Sequence, residues 1–210
     1  MLAIYFFIAL ALSSAGSFWI DELFKIPNAP LSFTDKIILR SRFRKIILTI
    51  IFFASIIFCS NFQINFAAYN LTAIFFLSLI MMTDFEQYII FNKMLLPFAI
   101  LSLPFIIILN FSMVNHLSAA IIGGGIFFIL MMISKNGLGG GDVKLIFVLG
   151  LWFGVEGLTF IILSGTILAG LAALIFLLTK IKNSQDFFAY GPYFCISAIG
   201  YLIFYLTSTS

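Results

Sequence analysis

The chain has 210 residues, 63% of them hydrophobic and 9% charged, with a formal net charge of +3 and a mean hydropathy of +1.20. A soluble domain of this length leaves most of its residues partly exposed and cannot hide that much apolar surface. A water-soluble globular domain is excluded, the lipid bilayer becomes a necessary partner, and no nucleic-acid partner is expected. Inside hydrocarbon, backbone polar groups must be paired within a helix or around a closed barrel. Polar–apolar alternation is absent, whereas apolar stretches of about 15–20 residues recur. The expected fold is all-α: a polytopic membrane helical bundle of about eight transmembrane helices, forming a single membrane-embedded domain over residues 1–210.

In chain order, the first apolar segment is residues 2–20. No Lys or Arg precedes it, the first being Lys25, so it reads as a retained helix with its N-terminus outside and not as a signal peptide. Residues 21–45 then form a basic cytoplasmic loop with Pro27, Pro30, Lys25, Lys36, Arg40, Arg42, Arg44 and Lys45. Its charge attracts anionic lipid, worth about 1 kcal/mol per basic residue near the surface. Further segments are expected at 46–60, 66–83, 94–110, 117–134, 144–155, 157–179 and 188–207, the second and sixth being short for a bilayer. The remaining basic residues, Lys93, Lys135, Lys144, Lys180 and Lys182, fall in or beside loops 84–93, 135–143 and 180–187. Every Lys and Arg then lies on the cytoplasmic side, as the positive-inside rule requires.

Gly165, Ala169 and Ala173 repeat at four-residue spacing, and Gly123, Gly124 and Gly125 cluster in the fifth segment; both read as close helix-packing seams. Cys59 and Cys195 lie in separate apolar segments and read as buried free thiols. No CxxC pair exists, so a zinc ribbon is excluded on ligand count and no metal is expected.

Most acidic residues have bland positions: Asp21, Glu22, Asp35 and Asp186 in cytoplasmic loops, and Glu156 in a tight outside turn beside Gly157. Asp84 and Glu86 follow the third segment, and Asp142 precedes the sixth. Asp84 and Asp142 thus share one depth on one side of the membrane, where an ionisable group is costly and marks a functional position. Asp142 ends the run Gly137-Leu138-Gly139-Gly140-Gly141, and glycines allow positive φ and close backbone approach, making a flexible loop the expected setting. No GK[ST] follows, so a P-loop is excluded. Two carboxylates sharing a proton can hydrolyse a peptide bond without metal or covalent nucleophile. His116, the one histidine, is expected in an outside loop, which removes a cytoplasmic Ser–His mechanism.

Gly137-Leu138-Gly139-Gly140-Gly141-Asp142-Val143-Lys144-Leu145 resembles the GxGD signature of the type IV prepilin peptidases, bacterial inner-membrane aspartyl proteases. Thr83-Asp84 through Asn92 resembles their first aspartate motif, and Gly16-Ser17-Phe18 and Gly191-Pro192-Tyr193 match further positions. The resemblance implies cleavage of the basic leader of type IV prepilins or type II secretion pseudopilins, just after a Gly, at the cytoplasmic face. It makes Asp84 and Asp142 catalytic and assigns Gly139, Gly140, Gly141 and Lys144 to the active-site loop, although a topology anchor accounts equally for Lys144. Proteolysis needs no cofactor; S-adenosyl-L-methionine is implied only if the N-methyltransferase activity of many members is retained. The chain departs from the pattern in three places: loop 21–45 has no cysteine motif, Phe91 stands where Pro is common, and Ala189 stands where Pro often precedes the Gly-Pro pair. Rival readings are an ion- or proton-coupled transporter using Asp84 and Asp142, a non-catalytic membrane scaffold, and a related GxGD protease with a different membrane substrate.

Overall fold

Arg44, Leu48, Phe52 and Ile56 are all buried, four residues apart, so one face of a continuous helix runs from the basic stretch into the apolar one. That spacing explains the first departure from expectation. Residues 37–45 are not loop but the opening turns of a helix, Ile37–Cys59. The computed structural model describes residues 1–26, 31–33, 37–134, 138–179 and 189–209. Pro27, Pro30, Asp35, Lys36, Lys135, Gly137, Lys180, Lys182 and Asp186 therefore lie outside the described residues.

Among the described residues every regular element is an α-helix. The chain divides into two compact units. The first, Met1–Phe111, contains α1 (Leu2–Phe24), α2 (Ile37–Cys59), α3 (Ile64–Gln87) and α4 (Asn92–Ile108). In it α2 packs on both α1 and α3, and α1 meets α3 at Gly16, where a Cβ would stand 2.7 Å from Leu79 Cδ2. The second unit, Ser112–Ser210, contains α5 (Met113–Ile133), α6 (Gly140–Leu178) and α7 (Gly191–Thr209), with α6 packed on both others.

Four of these helices, α1, α3, α5 and α6, are long and apolar enough to cross a membrane, while α4 and residues 191–204 are shorter apolar helices. Their surfaces suit lipid. Leu163, Ile167, Leu171, Leu174 and Leu178 form an exposed apolar stripe at helical spacing along α6, where a soluble helix would present polar groups.

The expected count of about eight is not reproduced: seven helical elements are described, with the sixth and seventh expected segments both inside α6, one on each side of a sharp break. The only break is at Gly154, with φ 64° and ψ −171°, a conformation open essentially to glycine. Ile146 Cγ2 and Leu158 Cδ2 both come within 4 Å of the Cβ position of Gly123. A straight helix would hold residues twelve apart at about 18 Å, so the chain turns back on itself at Gly154. Asn115 stabilises the turn, its Oδ1 accepting from Val155 N–H at 3.1 Å. Glu156 is exposed there.

The packing seams are partly those expected. Gly123, Gly124, Gly165 and Ala169 are buried at helix contacts; Gly125 faces open space and Ala173 is half-exposed. The closest approach to another helix's backbone among the described glycines lies elsewhere, at Gly150, whose Cβ position is 2.5 Å from Ala120 Cα and N. His116 is not in a loop. It is buried near the start of α5, with Nδ1 2.8 Å from Leu151 O, because Ser112 caps the helix one turn earlier than expected by accepting from Asn115 N–H. Cys59 and Cys195 are both buried, and neither forms a disulfide among the described residues.

Candidate active site

Asp84 is 5% exposed and lies inside the last turn of α3, not after the helix. The helix outlasts the apolar run because three of its final carbonyls, which a helix end leaves unpaired, find donors. Tyr88 adopts the left-handed conformation (φ 58°, ψ 37°) and returns its N–H to Asp84 O at 2.9 Å. Ser32 Oγ donates to Gln87 O at 2.9 Å, and the Arg40 guanidinium donates to Glu86 O.

Residues 31–33 are held against this end. Gln87 accepts from Phe33 N–H at 2.8 Å and donates to Phe33 O at 3.1 Å, a two-point amide pairing. The Phe33 ring lies 4.4 Å from Arg40 Cζ and 5.6 Å, centroid to centroid, from Tyr88. The described part of the region read as a basic loop is therefore docked on the turn that carries Asp84. Arg44 is fully buried beneath it, bonded to Glu86, Asp21 and Ser17.

Asp142 is 8% exposed and occupies the third position of α6, where an anion is favoured by the helix dipole. Gly139, the N-cap, donates its N–H to Asp142 Oδ2 at 3.3 Å, while Asp142 N–H returns to Gly139 O at 3.1 Å. Glycine has no side chain to complete a reciprocal capping box, so only the carboxylate half exists. Gly191, first residue of α7, presents its backbone N–H to the same carboxyl, adding a second helix N-terminus. Asp142 Oδ1 is buried with no hydrogen-bond partner among the described residues. A buried acceptor left open is costly and marks a place for a water or a substrate group.

The glycines work differently from expectation. Gly140 and Gly141 are helical, and Gly139 has φ −77°, so Asp142 sits in a formed first turn and not in a flexible loop. Among the described glycines only Gly154 has positive φ. What Gly139 supplies is room: a Cβ there would lie 3.2 Å from Asp142 Oδ2, whereas at Gly140 the nearest atom would be Met131 Sδ at 3.9 Å. Gly139→Ala is therefore expected to push the carboxylate off its cap and lower activity roughly tenfold, the equivalent of about 1.4 kcal/mol. Gly140→Ala should stay near wild type. Turnover of the two purified variants, compared side by side, checks this.

Residues 71–178, just over half of the chain, match the type IV leader peptidase family. The chain belongs to that family. No curated protein and no solved structure matches it.

The matched stretch of this leader peptidase runs from α3 to the end of α6 and contains both Asp84 and Asp142. Gly16-Ser17-Phe18 and Gly191-Pro192-Tyr193 lie outside it, yet the structure gives two of these residues contacts: Ser17 with Arg44, and Gly191 with Asp142. Asp84 belongs to the first unit and Asp142 to the second. Lys144 is exposed and points away from the buried face that carries Asp142 and Leu145. Three residues escaped sequence reasoning. Arg44 and Glu86 were read as boundary charges, and Gln87 carries no signal in the sequence; the clue to Arg44 was its four-residue offset from Leu48.

Proposed function

We propose that this leader peptidase is an aspartic endopeptidase that removes the basic leader of type IV prepilins or pseudopilins at the cytoplasmic membrane face. Asp84 and Asp142 are its two catalytic carboxylates, and residues 1–210 act as a single peptidase domain. One observation carries the reading: the matched stretch holds two aspartates buried at helix ends, in a chain whose helices expose long apolar stripes. Burying a carboxylate is expensive, and a membrane protein keeps one where its proton is used.

The chemistry needs no metal and no covalent intermediate. One carboxyl, protonated, donates to the scissile carbonyl oxygen; the other, ionised, takes a proton from water as its oxygen attacks the carbonyl carbon. The tetrahedral intermediate collapses as the leaving nitrogen receives a proton. The two carboxyls titrate as a unit, so neither role belongs to one residue. The open Oδ1 of Asp142 supports its place in this scheme.

The positive-inside distribution of Lys and Arg supports a cytoplasmic site in the inner membrane, where the leader lies. S-adenosyl-L-methionine would enter only with methyl transfer. The described acidic groups of 21–45 do not fit its sulfonium, since Asp21 is paired with Arg44 and Glu22 with Lys25; no step is routed through it.

Co-expression with a prepilin-like membrane substrate tests the proposal. The expected product is a shortened substrate whose mass places the new N-terminus just after the leader's last Gly, and the same mass reports whether a methyl group has been added. An intact substrate, together with ion flux in vesicles holding the protein, would establish the transporter reading instead.

A further inference from the structure

Arg44 is the bulkiest fully buried charged side chain among the described residues, and its environment is built from three helices. Its side chain has 0% exposure. Nη1 donates to Glu86 Oε2 at 2.6 Å; Nη2 donates to Asp21 Oδ1 and to Ser17 Oγ at 3.0 Å, and lies 3.3 Å from Ser17 O. Nε donates to the same Ser17 hydroxyl at 3.1 Å. Ser17 and Asp21 are on α1, Arg44 on α2 and Glu86 on α3, two residues beyond Asp84 in the same final turn. The Phe24 ring lies 5.9 Å from Arg44 Cζ and walls the site on the α1 side.

A helix end is the part of a helix most prone to fray, and the turn holding Asp84 is such an end. Here it is fixed twice. Glu86 is tied by its carboxylate to Arg44 and by its backbone carbonyl to Arg40, two basic residues one turn apart on α2. The planar guanidinium sets direction as well as distance, because its donors leave in a rigid fork. Simple topology would not require this arrangement: an arginine serving only the positive-inside rule would stay in water, as Arg42 and Lys45 do on the exposed side of the same helix.

We propose that Arg44 is a positioning residue for Asp84: through Glu86 it locks the last turn of α3 so that the aspartate meets the scissile bond at one depth and in one orientation. The inference rests on Asp84 being catalytic. Loss of orientation by about 1 Å costs on the order of a hundredfold in rate while leaving substrate affinity intact. A role confined to holding the bundle together would lower stability and leave turnover per folded molecule unchanged.

Arg44→Lys keeps the charge but loses the fork, and Ser17→Ala keeps both ion pairs but removes the hydroxyl that fixes the guanidinium's rotation. The experiment measures kcat and KM for cleavage of a prepilin-like substrate by full-length protein in detergent, on material that elutes as folded, with Asp84→Asn alongside. The expected result is a kcat lowered about tenfold to a hundredfold for Arg44→Lys and about threefold to tenfold for Ser17→Ala, with KM within about twofold of wild type in both. If Arg44→Lys does not fold, Ser17→Ala decides. Wild-type kcat in every variant that folds, with Asp84→Asn inactive, overturns the positioning role and leaves the catalytic reading standing. An active Asp84→Asn overturns the catalytic reading and the positioning role with it.

Discussion

Asp84→Asn and Asp142→Asn are each expected to lower leader cleavage by at least about a thousandfold, and the double variant is expected to be no worse than either single one. Asparagine keeps the size and one carbonyl oxygen of aspartate but cannot carry a proton between water and the leaving nitrogen. At Asp142 the amide oxygen can still accept from Gly139 N–H, so the first turn of α6 stays capped and the protein should accumulate normally. Replacing a buried carboxylate by a neutral amide of the same size removes a desolvation cost, and a thermal midpoint measured beside turnover separates lost chemistry from lost fold. Non-additivity is the sharper outcome, because two groups that divide one proton transfer fail together. Independent losses that multiplied in the double variant would mean that the two aspartates serve separate steps.

The second large effect is on stability. Gly150→Ala is expected to destabilise the protein by about 3 kcal/mol, lowering the thermal midpoint in detergent by roughly 5–10 °C. The Cβ would stand 2.5 Å from Ala120 Cα and N and 2.7 Å from Ala119 C. These are backbone atoms and cannot rotate aside, so α5 and α6 must separate along their contact. Gly125→Ala is the control. It has the same residue type and a helical setting, but nothing within 4 Å of its Cβ position, and it should be neutral or gain up to about 1 kcal/mol of helix propensity. Equal midpoints for the two variants would contradict the packing described for α5 and α6.

Hydropathy and helical period made the all-helical membrane fold legible, because both are properties of single segments. Helix ends were less so, since they depend on partners far along the chain. Arg44 opens α2 as a buried residue only because Asp21, 23 residues earlier, and Glu86, 42 residues later, receive its charge. Asp84 lies within α3 only because Ser32 and Arg40 cap the carbonyls beyond it. A turn was legible at Glu156 and Gly157, but the break lies two residues earlier, at Gly154, and its positive φ was not legible. The seam at Gly150 had a local clue, its four-residue spacing from Gly154, although choosing that pair over Gly165 and Ala169 requires knowing which face meets α5.

The two aspartates were legible for a different reason. A carboxylate next to an apolar run is conspicuous in a chain with so few charges, and the glycine run singles out Asp142. The function of that run was not legible. It is a helix start that leaves space for a carboxylate at 3.2 Å, and the adjacent Gly191 amide could be found only in three dimensions.

The most direct test of the central claim is leader cleavage by purified protein in lipid vesicles, followed by the mass of the substrate's new N-terminus, for wild type and for the two asparagine variants. The wild-type protein should release the leader, and either variant should leave the substrate at full length. Cleavage at the wild-type rate by both variants would contradict the assignment of Asp84 and Asp142.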